Sequence, residues 1–138
     1  MTRDQADSTL TILMVDDDAN ILAGMRRTLG RKFRVLTAAS GAEALEVLGT
    51  EGPVPLCFTD MQMPRMSGLE FILEARKRWP DTEFVMLTGN ADEKTRIDAE
   101  KKGGVFRFIS KPCSGSRLEA VVAQFVEAFD SNRGSDAA

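Results

Sequence analysis

Five short apolar runs, separated by segments of helical period, constrain this chain more than any other feature. Leu10-Thr11-Ile12-Leu13-Met14-Val15 is nearly continuous in apolar character, as a strand covered on both faces of a parallel sheet must be. Ile21, Leu22, Met25 and Leu29 then recur at helical spacing, and Gly30 stops the helix. Phe33-Arg34-Val35-Leu36-Thr37 reads as a second, more polar strand. Ser40-Gly41-Ala42-Glu43 is a capping box opening a helix that buries Ala44, Leu45 and Leu48. Pro53 and Pro55 mark a turn before Leu56-Cys57-Phe58-Thr59, a strand running straight into Asp60.

Ser67-Gly68-Leu69-Glu70 is a second capping box. Its helix turns Leu69, Ile72 and Leu73 inward and ends at Trp79-Pro80, since proline disfavours helix in the residue before it. Phe84-Val85-Met86-Leu87-Thr88 is the fourth strand. A charged helix spans Ala91 to Lys102, and Gly103-Gly104 stops it. Val105-Phe106-Arg107-Phe108-Ile109 is the last strand. Leu118, Val121, Val122, Phe125, Val126 and Phe129 give the final helix one apolar face.

This alternation predicts an α/β fold, a parallel sheet with helices on both faces. Right-handed crossovers restrict it to a doubly wound, five-stranded sheet of order 2-1-3-4-5. The 138 residues suit one such domain. Residues 1–8 are expected as a disordered lead, 9–130 as the domain, and 131–138 as a flexible tail or the start of a linker. No apolar run approaches the roughly 20 residues needed to span a bilayer. The polar start lacks the apolar stretch of a signal peptide, which predicts a cytoplasmic protein with no membrane partner. A net charge of −3 argues against direct nucleic-acid binding.

The chain contains no histidine. Histidine ligation, a histidine triad and a histidine general base are therefore excluded. Cys57 and Cys113 form neither a disulfide framework nor a metal cluster: Cys57 reads as core, and nothing but Lys111 would activate Cys113. Chemistry must come from carboxylates, hydroxyls, lysine and backbone.

In the predicted fold the site lies beyond the carboxyl ends of the strands, where the strand order reverses, between the first and third. There the first strand ends in Val15-Asp16-Asp17-Asp18, the third in Thr59-Asp60, the fourth in Leu87-Thr88 and the fifth in Ser110-Lys111-Pro112. The second strand, outside the switch, ends without charge in Thr37-Ala38-Ala39. Three converging carboxylates resist ionisation unless a cation joins them, and Mg²⁺ suits a small all-oxygen site. Lys111 adds a positive charge for Asp60 or an incoming phosphate, and Thr88 a hydroxyl donor. A carboxylate nucleophile needs no base at neutral pH, so this inventory suits phosphoryl transfer onto Asp60. Taken singly, Asp18 reads as a helix cap, Thr88 as an N-cap and Lys111 as a surface lysine; their coincidence at strand ends carries the functional reading.

The ordered set Asp16-Asp17, Asp60 with Met63-Pro64 and Ser67-Gly68, Thr88-Gly89 and Lys111-Pro112 resembles a response-regulator receiver domain of two-component signalling, over roughly Leu10 to Phe129. The resemblance implies a flavodoxin-like, chemotaxis-regulator-like fold. It implies that Asp60 accepts phosphate from a phosphohistidine on a sensor histidine kinase or phosphotransfer protein. It also implies that Asp16, Asp17, Asp60 and the backbone carbonyl of Gln62 hold Mg²⁺. Thr88 would bond the phosphoryl group, Lys111 would bridge to it, and the Lys111–Pro112 bond would be cis. Gln62 and Asn90 would border the approach of water. Thr88 and Phe108 would act as the switch, Phe108 standing where many relatives have tyrosine and so without a hydroxyl. The Phe106-Arg107-Phe108-Ile109-Ser110 segment lacks the acidic pair of many DNA-binding regulators and is more similar to regulators with signalling-enzyme outputs. The expected product is a phosphoacceptor regulator, not an enzyme beyond its own phosphorylation and dephosphorylation. It is expected to be a monomer or phosphorylation-dependent dimer that presents helix 91–102, the last strand and the last helix to an output domain or protein.

Two alternatives share parts of this inventory. A Mg²⁺-dependent phosphatase of the haloacid-dehalogenase type would place its nucleophile in an Asp-x-Asp at the first strand, here Asp16 and Asp18. The acidic pair it needs beyond the lysine is missing, and only Glu119 occurs there. A flavodoxin-like FMN binder would want a hydroxyl- and glycine-rich cradle after the first strand, where this chain has three aspartates. The poor apolar stripe of helix 91–102, in which Ala91, Ile97 and Ala99 stand among charges, predicts either a solvated helix or one loosely docked.

Overall fold

The computed structural model describes residues 10–89, 93–105, 107–111 and 113–137. The expected lead 1–8, Asn90, Phe106 and the expected cis-proline Pro112 lie outside them. Strands β1 (Thr11–Val15), β2 (Arg34–Ala38), β3 (Leu56–Asp60), β4 (Glu83–Thr88) and β5 (Arg107–Ser110) alternate with helices α1 (Ala19–Leu29), α2 (Gly41–Glu51), α3 (Gly68–Arg78), α4 (Glu93–Gly103) and α5 (Gly115–Ala137). The strands form one sheet in the order β2-β1-β3-β4-β5, parallel throughout. The expected doubly wound topology is therefore present.

Alternation along each strand sends side chains to two separate layers. Ile12, Met14, Leu56, Phe58, Val85, Leu87 and Ile109 meet α1 and α5 on one face. Leu13, Val15, Cys57, Phe84 and Met86 meet α2 and α3 on the other. There the Phe71 and Phe84 rings pack edge to face, with centroids 5.9 Å apart and planes at 86°. β3 lies mid-sheet and is buried from Leu56 to Asp60, so its last residue is held at a fixed depth beneath the rim.

Helix ends follow the local chemistry. Ser67 and Glu70 complete their capping box, each side chain accepting from the other's backbone N–H. At α2 Ser40 caps the Glu43 N–H at 3.1 Å, while the Glu43 carboxylate accepts from Ala39 N–H at 3.1 Å, one residue before the expected partner. The inward face of α3 differs from expectation: Phe71, Ile72 and Ala75 are buried, while Leu69 and Leu73 are only half-buried. A helix whose first turn is pressed against β3 turns positions 68, 71, 72 and 75 to the sheet. The last helix also runs further than expected, through residues 131–137. A helix satisfies its own backbone without burial, and no proline interrupts this stretch. Among the described residues no helix is long and apolar enough to cross a membrane.

Candidate functional site

The carboxyl ends of β1, β3, β4 and β5 bring Asp16, Asp60, Thr88 and Lys111 to one rim of the sheet. The register explains this convergence: Val15 lies beside Thr59, Asp60 beside Leu87, and Thr88 beside Ser110. Asp16, 1 % exposed, donates its backbone N–H to Ala38 O at 3.1 Å. Its Oδ1 accepts from Asp18 N–H at 2.9 Å. Asp60 is 6 % exposed, and its Oδ1 accepts from Gln62 N–H at 3.5 Å. Lys111 reaches across both carboxylates, with Nζ 3.0 Å from Asp16 Oδ2 and 3.2 Å from Asp60 Oδ1. Its own N–H donates to Thr88 O at 2.9 Å, so the end of β5 is fixed to the end of β4. Thr88 is 8 % exposed.

Burial, then the negative charge of Asp16, pushes the Asp60 carboxyl above its ordinary range, against the opposing pull of Lys111 and the Gln62 N–H. For Lys111 burial acts downward, but the hydrogen bond to Asp16 and the charges of Asp60 and Asp16 outweigh it and raise the amine. The lysine is therefore firmly charged and is the counter-ion of two buried acids. A third carboxylate, exposed Asp17, offers an oxygen within 4.8 Å of oxygens of Asp16 and Asp60. Ligands of an ion with 2.0–2.1 Å bonds stand about 3–4 Å apart, so a small rotation of these side chains would close them on Mg²⁺. The donor set, carboxylates alone, fits a hard divalent ion. Asp18 stands apart from this group: its Oδ1 caps α1, accepting from Asn20 N–H at 2.9 Å and Ile21 N–H at 3.3 Å.

The loop from β3 to α3 is built around Asp60. Met61 N–H donates to Leu87 O at 2.9 Å, and Gly68 N–H to Met61 O at 2.8 Å. A Cβ on Gly68 would fall 2.2 Å from the Asp60 carbonyl oxygen. Glycine is needed there so that α3 can start against the site. The steric role of Gly68 escapes the sequence reading, although a glycine at the first helical position in place of a helix former is the signal for it. Arg65, at φ 68, takes a left-handed turn in the same loop.

Phe108 is not part of the carboxylate cluster. It is half-buried against the α2–α3 layer, beside Met86 in register, with the Arg96 guanidinium 5.4 Å from its ring centroid. Cys57 is core, and burial pushes its thiol well up. Cys113 is half-buried, its thiol raised by burial against the opposing charge of Arg117.

The description "response regulator receiver domain" matches residues 12–123. The chain belongs to the response-regulator receiver family. It is 37 % identical over 123 residues to the hydrogenase transcriptional regulatory protein HoxA of Cupriavidus necator, covering 89 % of this chain and 25 % of that protein. The chain thus spans about a quarter of that curated relative. Among solved structures it is similar to the adenylate cyclase from Rhodopirellula baltica, with TM-score 0.84 and 37 % identity over 94 % of this chain and 96 % of that one. It is likewise similar to the chemotaxis protein CheY4 of Vibrio cholerae, with TM-score 0.79 and 27 % identity over 85 % and 98 %. As a receiver domain it is a phosphoacceptor signalling switch of a two-component system, and the phosphatase alternative falls away. Receiver domains generally bind Mg²⁺ at an acidic pocket, and this chain brings Asp16, Asp17 and Asp60 together in an acidic cluster.

Proposed function

We propose that Asp60 takes the phosphoryl group from a phosphohistidine on a sensor histidine kinase or phosphotransfer protein. The observation that carries this reading is Lys111 reaching both Asp16 at 3.0 Å and Asp60 at 3.2 Å, the two acids at the ends of neighbouring strands. An Asp60 oxygen bonds to phosphorus as the P–N bond breaks, and the electron pair leaves with the imidazole. Asp60 attacks as the carboxylate, so this chain needs no base of its own. Lys111, already charged, neutralises the transferred oxygens, and the Thr88 hydroxyl donates to one of them. Asp16, Asp17, Asp60 and the Gln62 carbonyl would hold Mg²⁺, which supplies charge neutralisation at the phosphoryl oxygens.

The same groups govern loss of the phosphoryl group, so the domain acts catalytically only on itself. Thr88 and Phe108 then carry the change to α4, β5 and α5, the surface offered to an output segment or partner in the cytoplasm. A transcriptional regulator and an adenylate cyclase both appear among the similar proteins. The Phe108 segment, without an acidic pair, favours a signalling-enzyme output.

Incubation with acetyl phosphate and Mg²⁺, followed by mapping of acid-labile phosphate, tests the reading. Label is expected on Asp60 and should vanish in Asp60→Asn. Label on Asp16, or steady turnover of phosphomonoesters, would overturn it.

A further inference from the structure

Thr59 is the polar residue inside the strand that ends in Asp60. β3 is buried throughout, and Thr59 is 0 % exposed. In register it lies between Val15 of β1 and Met86 of β4, so it faces the apolar layer beneath α2 and α3. A hydroxyl in such a layer costs stability unless it is bonded, and valine has nearly the same shape without that demand. The Thr59 hydroxyl donates to the Asp60 carbonyl oxygen at 3.0 Å. The same peptide unit holds the Met61 N–H, which donates to Leu87 O at 2.9 Å. Both polar atoms of the peptide after Asp60 are therefore pinned, one by the Thr59 side chain and the other by β4. Gly68 closes a further side, where a Cβ would fall 2.2 Å from that carbonyl oxygen.

We infer that Thr59 is a positioning residue for the reaction at Asp60: its hydroxyl fixes the peptide that follows the acid, and with it the aim of the Asp60 carboxylate and the path of the loop to Gln62. The tilt of that peptide is coupled to the backbone torsions of Asp60, which set where its carboxylate meets Lys111 Nζ, 3.2 Å away. One peptide further on, Gln62 N–H returns to Asp60 Oδ1 at 3.5 Å, and Met61 O accepts from Gly68 N–H at 2.8 Å. A change in the pinned peptide therefore reaches the acid and the Gln62 carbonyl together. Thr59 itself faces the core layer, so it acts only through Asp60. The inference rests on the phosphoacceptor reading above.

The rate of Asp60 labelling by acetyl phosphate and the Mg²⁺ affinity by calorimetry, both on the whole chain at a temperature where every variant is folded, test this. Thr59→Val keeps the shape and removes the hydroxyl; Thr59→Ser keeps the hydroxyl and removes the methyl. Both variants lose some stability, the first through the missing bond and the second through the gap left by the methyl. Only Thr59→Val should lose reactivity. It should label Asp60 about fivefold more slowly, the factor that one ordinary buried hydrogen bond supplies, and bind Mg²⁺ more weakly by a similar factor. Thr59→Ser should stay close to wild type in both measurements. A hydroxyl that merely satisfies itself in the core would slow both variants or neither. Wild-type labelling in Thr59→Val, or equal slowing in the two variants, would therefore overturn the inference. If acetyl phosphate leaves wild-type Asp60 unlabelled, the phosphoacceptor reading fails, and the Mg²⁺ affinities of the two variants alone decide whether Thr59 positions the acid.

Discussion

At the scale of single residues, Gly68 and Asp60 show fold and chemistry competing for the same space. A Cβ at position 68 would sit 2.2 Å from the Asp60 carbonyl oxygen, and backbone cannot yield as a flexible side chain can. Gly68→Ala should cost on the order of 2 kcal/mol in urea unfolding and slow labelling of Asp60 together, because α3 must retreat from the acid it abuts. Asp60 carries a different strain. Its pKa is raised by burial and by Asp16, so the folded state binds this proton more tightly than the unfolded chain does. Ionising it therefore costs stability. The contribution of Asp60 should improve as pH falls from neutral through the raised folded value, and be complete below the ordinary carboxylate range. Asp60→Asn should remove that slope and raise the melting temperature of the metal-free protein at neutral pH. Comparing the pH dependence of Tm in the two proteins checks this; a lower Tm for Asp60→Asn would mean that the Lys111 pair outweighs the burial.

At the scale of elements, α1 separates two roles within one acidic triplet. Asp18 caps the helix through Asn20 and Ile21 N–H groups, whereas Asp16 and Asp17 belong to the cluster. Asp18→Ala should cost about 1 kcal/mol of stability by chemical denaturation and leave Mg²⁺ binding intact, the reverse of the pattern expected for Asp17→Asn. The elements themselves were legible in the sequence because strand and helix differ in period, and β1, β3 and β4 are apolar through their interiors. The site was legible for a related reason: polar residues stand out at the ends of such strands. What escaped depends on distances the sequence does not encode. The face of α3 was misjudged because Leu69 and Leu73 are as apolar as Phe71, and only the closeness of α3 to β3 selects between them. The ring contacts of Arg76 and Arg96 escaped as well, since nothing local reveals an aromatic ring on another element.

At the scale of the whole molecule, the proposed Mg²⁺ site spans the ends of β1 and β3, which the chain brings together only by folding. An ion held there would favour the native cluster over the dispersed acids of the unfolded chain. It should therefore stabilise the domain by about 2.7 kcal/mol at a hundredfold excess over Kd, read as a rise in Tm that EDTA reverses. An unchanged Tm would remove the ion from the site. The molecule also has two well-separated poles. Asp60 lies against the first residue of α3, and Trp79, the chain's one tryptophan, caps the other end of that 11-residue helix with the Arg78 guanidinium 4.4 Å from its ring centroid. About 16 Å of helix axis lies between them. The domain thus carries its own fluorophore at the pole away from its chemistry: emission from Trp79 follows loss of the α3–sheet packing as the protein unfolds, with the phosphorylation pocket too distant to quench it by contact.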